Sequence, residues 1–292
     1  MKFTSHSEYH LLQEVYVKPV ANAFINDGKI DLEWESLNYL GRPDFNIAKE
    51  EYEAFLKLFK TAQVKTISMP LDDSLSLDAM YCRDASIATD YGMVLCNMGK
   101  EARKLEPGAH KKFFTSKNIP ILGTIEAPGT IEGGDVAWLD LNTLAVGHSY
   151  RTNLHGIEQL KAILRPCGIE VIVAALPHFR GPSDVFHLMS ILSPVDKDQA
   201  VVYSPLMPIA FRNELLKRGF GLIEVPEQEF DSLGSNVLAI APRTCIMVKG
   251  NPVTQARLLK AGCQVMTYQG NEISIKGGGG PTCLTRPLKR TL

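Results

Sequence analysis

Long apolar runs are missing from this chain of 292 residues. None approaches the roughly 18 residues that a membrane-spanning helix needs, so no membrane partner is expected. An excess of one charge is missing too. The 31 Lys and Arg nearly balance the 32 Asp and Glu, for a formal net charge of −1. That excludes a basic surface built for nucleic acid. Among six cysteines (Cys82, Cys96, Cys167, Cys245, Cys263, Cys283) there is no C-x-x-C pair. The polar stretch from Met1 to Gln13 has no apolar core of a signal peptide. The cysteines therefore read as reduced thiols in a cytoplasmic protein. The seven histidines form no H-E-x-x-H and no Cys/His cluster, which argues against a zinc site. No strand runs into a G-x-G-x-x-G or a P-loop, so the usual nucleotide fingerprints are absent as well. Neither metal nor cofactor is expected.

What is present is an ordinary globular composition, 45% hydrophobic and 22% charged, with room for one large domain or two smaller ones. No low-complexity linker marks a boundary. A helix followed by a short β-rich run recurs along the chain. Tyr52, Phe55, Leu56 and Phe59 form one apolar helical face between about Ile47 and Ala62, and Val64 to Met69 follows as a strand. A polar segment from Gly108 to Asn118 precedes Ile119 to Leu122. Asn153 reads as the cap of a helix to Leu164, with Gly168 as its stop and Glu170 to Ala174 as the next strand. Pro208 opens a helix to Arg218, followed by Leu222 to Val225. Asn251 and Pro252 open one ending near Ala261, followed by Gln264 to Tyr268. Five helix-then-strand units result. Further strands are expected at 14–18, 87–89, 93–95, 136–139, 143–146, 200–203, 237–240 and 244–248. The alternation is compatible with a doubly wound sheet or with a repeat architecture.

Four glycines, Gly277 to Gly280, lead through Pro281 and Thr282 to Cys283. Such a run is costly to order, and suits a place where something must approach the backbone. It reads either as a flexible tail with a buried thiol or as a loop presenting a nucleophile. Glu132-Gly133-Gly134-Asp135 stands at a strand entrance, as a solvated turn or as carboxylates aimed into a cleft. Cys82-Arg83-Asp84, with Asp78 upstream, reads as a strand with an ion pair or as part of the same cleft. His187 lies in an apolar run, as a core histidine or a proton carrier. Together a thiol, a histidine and several carboxylates suit a permanently cationic substrate. A guanidinium is planar, rich in N–H donors and bound bidentately by carboxylates. Its carbon is a poor electrophile, for which a thiolate is the natural nucleophile. One histidine can protonate the leaving amine and later activate water.

With these residues in the order Asp, E-G-G-D, His, Cys, the chain resembles the guanidine-modifying enzymes of the pentein superfamily: dimethylarginine dimethylaminohydrolases, arginine deiminases and amidinotransferases. The resemblance implies an α/β fold, a five-bladed propeller of ββαβ-like units in a single domain over residues 1–292. It implies Cys283 as nucleophile, His187 as general acid and base, and Glu132 beside the histidine. Asp84 and Glu132 would hold the guanidinium of a small-molecule substrate, with Asp78 and Asp135 close by. Arg103 and Arg151 stand nineteen residues after Asp84 and Glu132, where arginine-using relatives bind the substrate carboxylate. A homodimer is left open. Three positions depart from the family pattern. Met189 stands where arginine deiminases carry an aspartate, which favours an alkylated guanidine. Arg83 stands where dimethylargininases often have glutamate. Pro281-Thr282 precedes the cysteine where many relatives have histidine.

The leading expectation is a cysteine hydrolase of N-methylated arginine, giving citrulline and an amine through a covalent thiouronium, and the compact length suits that branch. Arginine deiminase, arginine dihydrolase and amidinotransferase are the alternatives within the superfamily. A non-catalytic pentein acting as a binding factor is the alternative outside enzymes.

Overall fold

The computed structural model describes residues 6–291. The first five residues of the polar N-terminus lie outside that range. The chain runs through β1 (Leu11–Val17), α1 (Val20–Ala23), α2 (Asp27–Glu33), α3 (Phe45–Thr61), β2 (Lys65–Ser68), β3 (Ser86–Thr89), β4 (Gly92–Leu95), α4 (Glu106–Ser116) and β5 (Ile121–Thr124). It continues through β6 (Val136–Trp138), β7 (Thr143–His148), α5 (Leu154–Leu164), β8 (Glu170–Ala175), β9 (Leu192–Asp196), β10 (Gln199–Val202), α6 (Ile209–Lys217) and β11 (Gly221–Glu224). Last come β12 (Leu238–Ala241), β13 (Thr244–Val248), α7 (Pro252–Lys260), β14 (Gln264–Tyr268) and β15 (Arg286–Thr291).

The strands form five three-stranded sheets. Four of them are local β-β-α-β runs: an antiparallel pair, then a helix crossover to a parallel third strand. A parallel pair needs such a crossover, which is why helix and strand alternate so regularly. The fifth sheet joins the two chain ends. β15 pairs antiparallel with β1, and β1 pairs parallel with β2. The first strands of the units meet across sheet boundaries: β15 against β3, β6 against β9, and β9 against β12. No helix among the described residues is long and apolar enough to cross a membrane.

Local chemistry explains the helices. Asp44 caps α3 by accepting from the N–H groups of Asn46 and Ile47 at 2.9 Å, the expected use of a short acidic side chain. Tyr52, Phe55 and Phe59 are buried on one face of α3, and Phe55 packs against Tyr268 with ring centroids 4.7 Å apart. Asn153 caps α5 through the Gly156 N–H, and Gly168 stops the following turn in the left-handed region at φ 71°. Pro208 and Pro252 open α6 and α7 as expected, though Asn251 makes no side-chain cap. α4 starts at Glu106, ahead of the expected Gly108, because Pro107 fits a first helical turn.

Four elements were not expected. α1 and α2 are short, four and seven residues, and α2 lies in polar sequence. β9 carries Pro194 and Asp196, which read as breakers. β15 reads as a basic tail, Arg-Pro-Leu-Lys-Arg-Thr. Its burial has a specific cause. Glu8 is buried, and its carboxylate charge faces those of Arg83, Arg286 and Arg290, all buried as well. Arg83 Nη2 donates to Glu8 Oε1 at 2.7 Å, and Arg290 Nη2 donates to the Ala239 carbonyl at 2.9 Å. Burial works against the Glu8 charge, but the arginines outweigh it and hold the carboxyl below its ordinary range. The departure at Arg83 is thus answered by an acid from the chain's beginning.

Breaking a buried ion pair from one side costs about 3–5 kcal/mol, because the partner charge is left uncompensated. Glu8→Gln should therefore lower unfolding free energy by about that amount in urea titrations at pH 7. The depressed carboxyl contributes above the ordinary carboxylate range and loses its contribution as pH falls through the folded-state value. The gap between parent and variant should therefore close in acid. A variant as stable as the parent at pH 7 would count against this account.

Candidate active site

Each of the five sheets has a polar residue placed just ahead of its first strand. Asp84 precedes β3, Glu132 precedes β6, His187 precedes β9, Asn236 precedes β12 and Cys283 precedes β15. Because those strands meet, residues 55 and 47 positions apart come within bonding distance. His187 Nε2 and Glu132 Oε2 are 2.8 Å apart, both buried. Gly134 lies between the units. A Cβ there would stand 2.5 Å from His187 Nδ1 and 2.8 Å from Asp84 Oδ1, so the close approach of these side chains demands glycine.

The charges set each other's protonation. Burial opposes a charged His187, but the Asp135 charge, the hydrogen bond donated to Glu132 and the Asp84 charge outweigh it and push the imidazole up to about 9. Burial likewise opposes a charged Glu132, yet His187, Arg151 and Arg103 hold its carboxyl far below the ordinary range. The pair is an imidazolium–carboxylate at neutral pH. Glu132 Oε1 also accepts the Lys100 N–H at 2.9 Å, and Arg151 Nη1 lies 3.3–3.4 Å from both its oxygens. Burial and the Asp84 charge raise the Cys283 thiol above its ordinary value, against the Thr282 and Asn236 contacts that lower it.

Two expected substrate contacts are otherwise engaged. Asp135 Oδ1 accepts the Leu188 N–H at 2.9 Å and Oδ2 accepts the Ser149 hydroxyl at 2.6 Å. It holds the turn after His187 and is a neighbour of the imidazole, and it borders neither cavity described below. The carboxylate at this strand entrance is engaged by the turn. Arg103 was expected to face a substrate carboxylate. It donates instead to Asp84 Oδ2 at 2.5 Å, to Glu106 at 2.7 and 2.8 Å, and to the Tyr81 carbonyl at 2.9 Å. Four donated bonds leave the buried guanidinium little to offer. Burial pushes Glu106 up to about 7 despite Arg103. Asp78 pairs with Lys100 Nζ at 2.6 Å. Asp84 Oδ1 is buried without a hydrogen-bond partner among the described residues.

The residues missed by sequence reasoning are Asn236, Lys100, Glu106 and Tyr81. Asn236 Nδ2 donates toward Cys283 Sγ at 3.5 Å, while its Oδ1 accepts the Thr282 N–H at 3.0 Å and the Thr282 hydroxyl at 2.9 Å. Thr282 thus anchors the amide that meets the thiol. Asn236 carried no motif, and only its place ahead of a strand in the unit rhythm could have marked it. The Cys283 carbonyl accepts the Arg83 N–H at 3.2 Å. The glycine run packs on Tyr81: a Cβ at Gly279 would lie 2.4 Å from the Tyr81 ring. The run is therefore packed chain. Cys82 and Cys96, by contrast, are buried thiols away from the cavities, with Cys82 pushed up to about 12 by burial.

Cys283 stands between two spaces. A cavity of about 500 Å³ is bordered by His187, Cys283, Gly134, Asn236 and Met189. A void of about 20 Å³ is bordered by Asp78, Asp84, Lys100, Arg103, Arg151 and Cys283. Asp84, Glu132 and His187 each offer one atom within 4.8 Å of the others, a spacing a metal ion could use. Glu132 and Asp84 are already paired with Arg151 and Arg103, so a compact divalent cation would meet guanidinium charge on both carboxylates. The unpartnered Asp84 oxygen better suits a hydrogen-bond donor whose charge is spread over several atoms.

Comparison with known proteins places this geometry. The mixed α/β fold and the sequence similarities together define a member of the guanidine-modifying pentein superfamily. Solved structures with this fold include the citrulline complex of the Pseudomonas aeruginosa dimethylarginine dimethylaminohydrolase, with a TM-score of 0.76 at 23% identity over 96% of this chain and 100% of that one. They also include the amidinotransferase SxtG of Microseira wollei, with a TM-score of 0.81 at 16% identity over 99% and 98%. At such identities the likeness speaks for the fold. The family model for N,N dimethylarginine dimethylhydrolase, eukaryotic, matches residues 42–290, and the chain belongs to that family, whose members are hydrolases of linear amidines. Among curated proteins, the uncharacterized protein YkgA of Bacillus subtilis is 29% identical over 99% of this chain and 96% of its own length. The Pseudomonas aeruginosa enzyme is 27% identical over 85% of this chain and 91% of its own.

The imidazolium is testable directly. In NMR titrations His187 should hold its proton through neutral pH and lose it near 9, whereas in Glu132→Gln it should lose it at lower pH. A raised pKa contributes stability in full below the unfolded value of about 6.5, and that contribution disappears as pH rises toward the folded value. The parent should therefore lose more stability than Glu132→Gln between neutral pH and pH 9. Titration near the ordinary histidine value in both proteins would contradict the pairing.

Proposed function

We propose that this protein hydrolyses the guanidine C–N bond of N-methylated arginine, giving citrulline and the methylamine. The observation that carries the reading is the placing of the Cys283 thiol between the cavity bordered by His187, which is bonded to Glu132, and the void bordered by the unpartnered Asp84 oxygen. Family membership supports the reaction class, and Met189 at the cavity wall leaves an alkylated nitrogen uncontested by charge. On this reading the five sheets are the blades of an α/β propeller, residues 1–292 are one domain, and the enzyme works in the cytoplasm with its thiols reduced.

Substrate binds with guanidinium N–H groups on Asp84 Oδ1 and Glu132. Arg151, held to Glu132 by the long contact, turns to the substrate carboxylate. Arg103 holds Asp84 by its Oδ2 and leaves Oδ1 to the substrate, so it acts as a positioning residue. The resting thiol is protonated, because burial and Asp84 raise it. A bound guanidinium beside the sulfur favours loss of its proton to solvent. The thiolate attacks the guanidinium carbon, and the C–N bond to the methylated nitrogen breaks. The departing amine takes its proton from the His187 imidazolium. Neutral His187 then takes a proton from water, which attacks the thiouronium carbon. The C–S bond breaks, citrulline leaves and the thiol is restored.

Product analysis tests this. Dimethylarginine should yield citrulline and dimethylamine, and Cys283→Ser should lose the activity by at least ~10³-fold. Arg151→Met should raise KM about tenfold or more with a smaller change in kcat, as expected for a binding contact. Ammonia from arginine without turnover of the methylated form would make the protein a deiminase, and ornithine a dihydrolase. Full activity in Cys283→Ser would remove the thiol mechanism altogether.

A further inference from the structure

Two methyl groups fill little of the space beside the thiol. The cavity of about 500 Å³ reaches from Cys283 and His187 to Phe179, Phe186 and Phe230. These rings are half-buried, with Phe179 tilted against Phe186 at 5.7 Å and edge-to-face with Phe230 at 5.9 Å. Phe230 is fixed from behind by stacking on Tyr203 at 4.1 Å. Met189 and Val185 extend the apolar wall. Two of the basic groups at its border are matched by acids. Arg180 donates to both oxygens of Asp231 at 2.8 Å and lies over the Phe179 ring, and Lys276 pairs with Glu272 at 2.6 Å. The void on the other side of Cys283 is opposite in character. Its 20 Å³ holds about one water, and acids and bases surround it. A guanidine at Cys283 thus has a charged side, opened as Arg151 turns to the substrate carboxylate, and a wide aromatic side.

Resting on the hydrolase reading above, we infer that the preferred substrates are guanidines whose terminal nitrogen carries an aryl or branched alkyl group larger than methyl. That group seats against Phe179, Phe186 and Met189. The chemistry is unchanged: the C–N bond to the substituted nitrogen breaks, the amine takes its proton from His187, and water supplies the oxygen. Each buried methylene is worth about fourfold in binding, and an aromatic substituent stacked edge-to-face adds to that. Relative to methyl, the gain appears where substituent and cavity wall meet and leaves the Asp84–Glu132 contacts alone.

The test compares dimethylarginine with Nω-propyl- and Nω-benzylarginine as substrates. Benzyl should exceed dimethyl about tenfold in kcat/KM. Phe186→Ala, and Phe186→Leu should the first be unstable, should lose most of that advantage, lowering kcat/KM for the benzyl substrate by a clearly larger factor than for dimethylarginine. A second readout needs no turnover. Cys283 should be alkylated faster by N-benzyl chloroacetamidine than by chloroacetamidine, and Phe186→Ala should level the two. Turnover of dimethylarginine with benzyl poorer than methyl overturns the inference and leaves the hydrolase reading intact. Benzyl-selective labelling of Cys283 without citrulline from any substrate supports the cavity assignment and overturns the hydrolase reading. Equal labelling without turnover overturns both.

Discussion

Pairing of β15 with β1 is the contact on which the site depends. It joins residues separated by nearly the whole chain, Leu11 with Thr291 and Tyr16 with Arg286. Cys283 lies just ahead of β15, so the register of that pairing sets where the thiol stands. Two further ties hold it there: the Arg83 N–H on the Cys283 carbonyl, and Arg286 Nη2 on the Arg83 carbonyl at 2.5 Å. Loop closure over such a distance is entropically costly. Glu8 offsets part of that cost by giving the three buried arginines a shared carboxylate.

The same unit plan repeated five times turns one kind of position into one site. A residue just ahead of a first strand points where the first strands meet, and the five units supply four kinds of group there: two carboxylates, an imidazole, an amide and a thiol. None is close to another in sequence. Their properties come from each other. His187 keeps its proton because of the carboxylate charges around it, and Glu132 is held ionised by His187 and the arginines, both against burial. Cys283 has no such cationic neighbour strong enough to offset burial and Asp84, so its thiol stays protonated until a cation arrives.

Much of the secondary structure was legible because it rests on local rules. The apolar stripe of α3, the Asn153 cap and the Pro208 and Pro252 starts act within a few residues. β9 and β15 were not legible, because Pro194 and the basic residues of β15 are tolerated only through partners elsewhere: Glu8, the Ala239 carbonyl and the neighbouring strands. The candidate site was legible in the same uneven way. Asp84, Glu132, His187 and Cys283 carried chemistry that made them conspicuous. Asn236 did not, since an asparagine gains a role only when a thiol is brought within 3.5 Å of it. Arg103 and Asp135 were conspicuous but turned inward to Glu106, Asp84, Ser149 and Leu188.

By itself the sequence determined the reaction's raw materials: a thiol on a glycine-rich approach, a histidine, paired carboxylates, and five helix-then-strand units. Residue type and short-range spacing are enough for that, because a side chain's chemistry and a helix's periodicity are local properties. Tertiary structure decided which charges face the cavity, which are consumed by one another, and how wide the space beside Cys283 is. Those outcomes depend on distances of a few ångströms between residues far apart in the chain, where electrostatics and burial change steeply and the linear order carries no measure of separation.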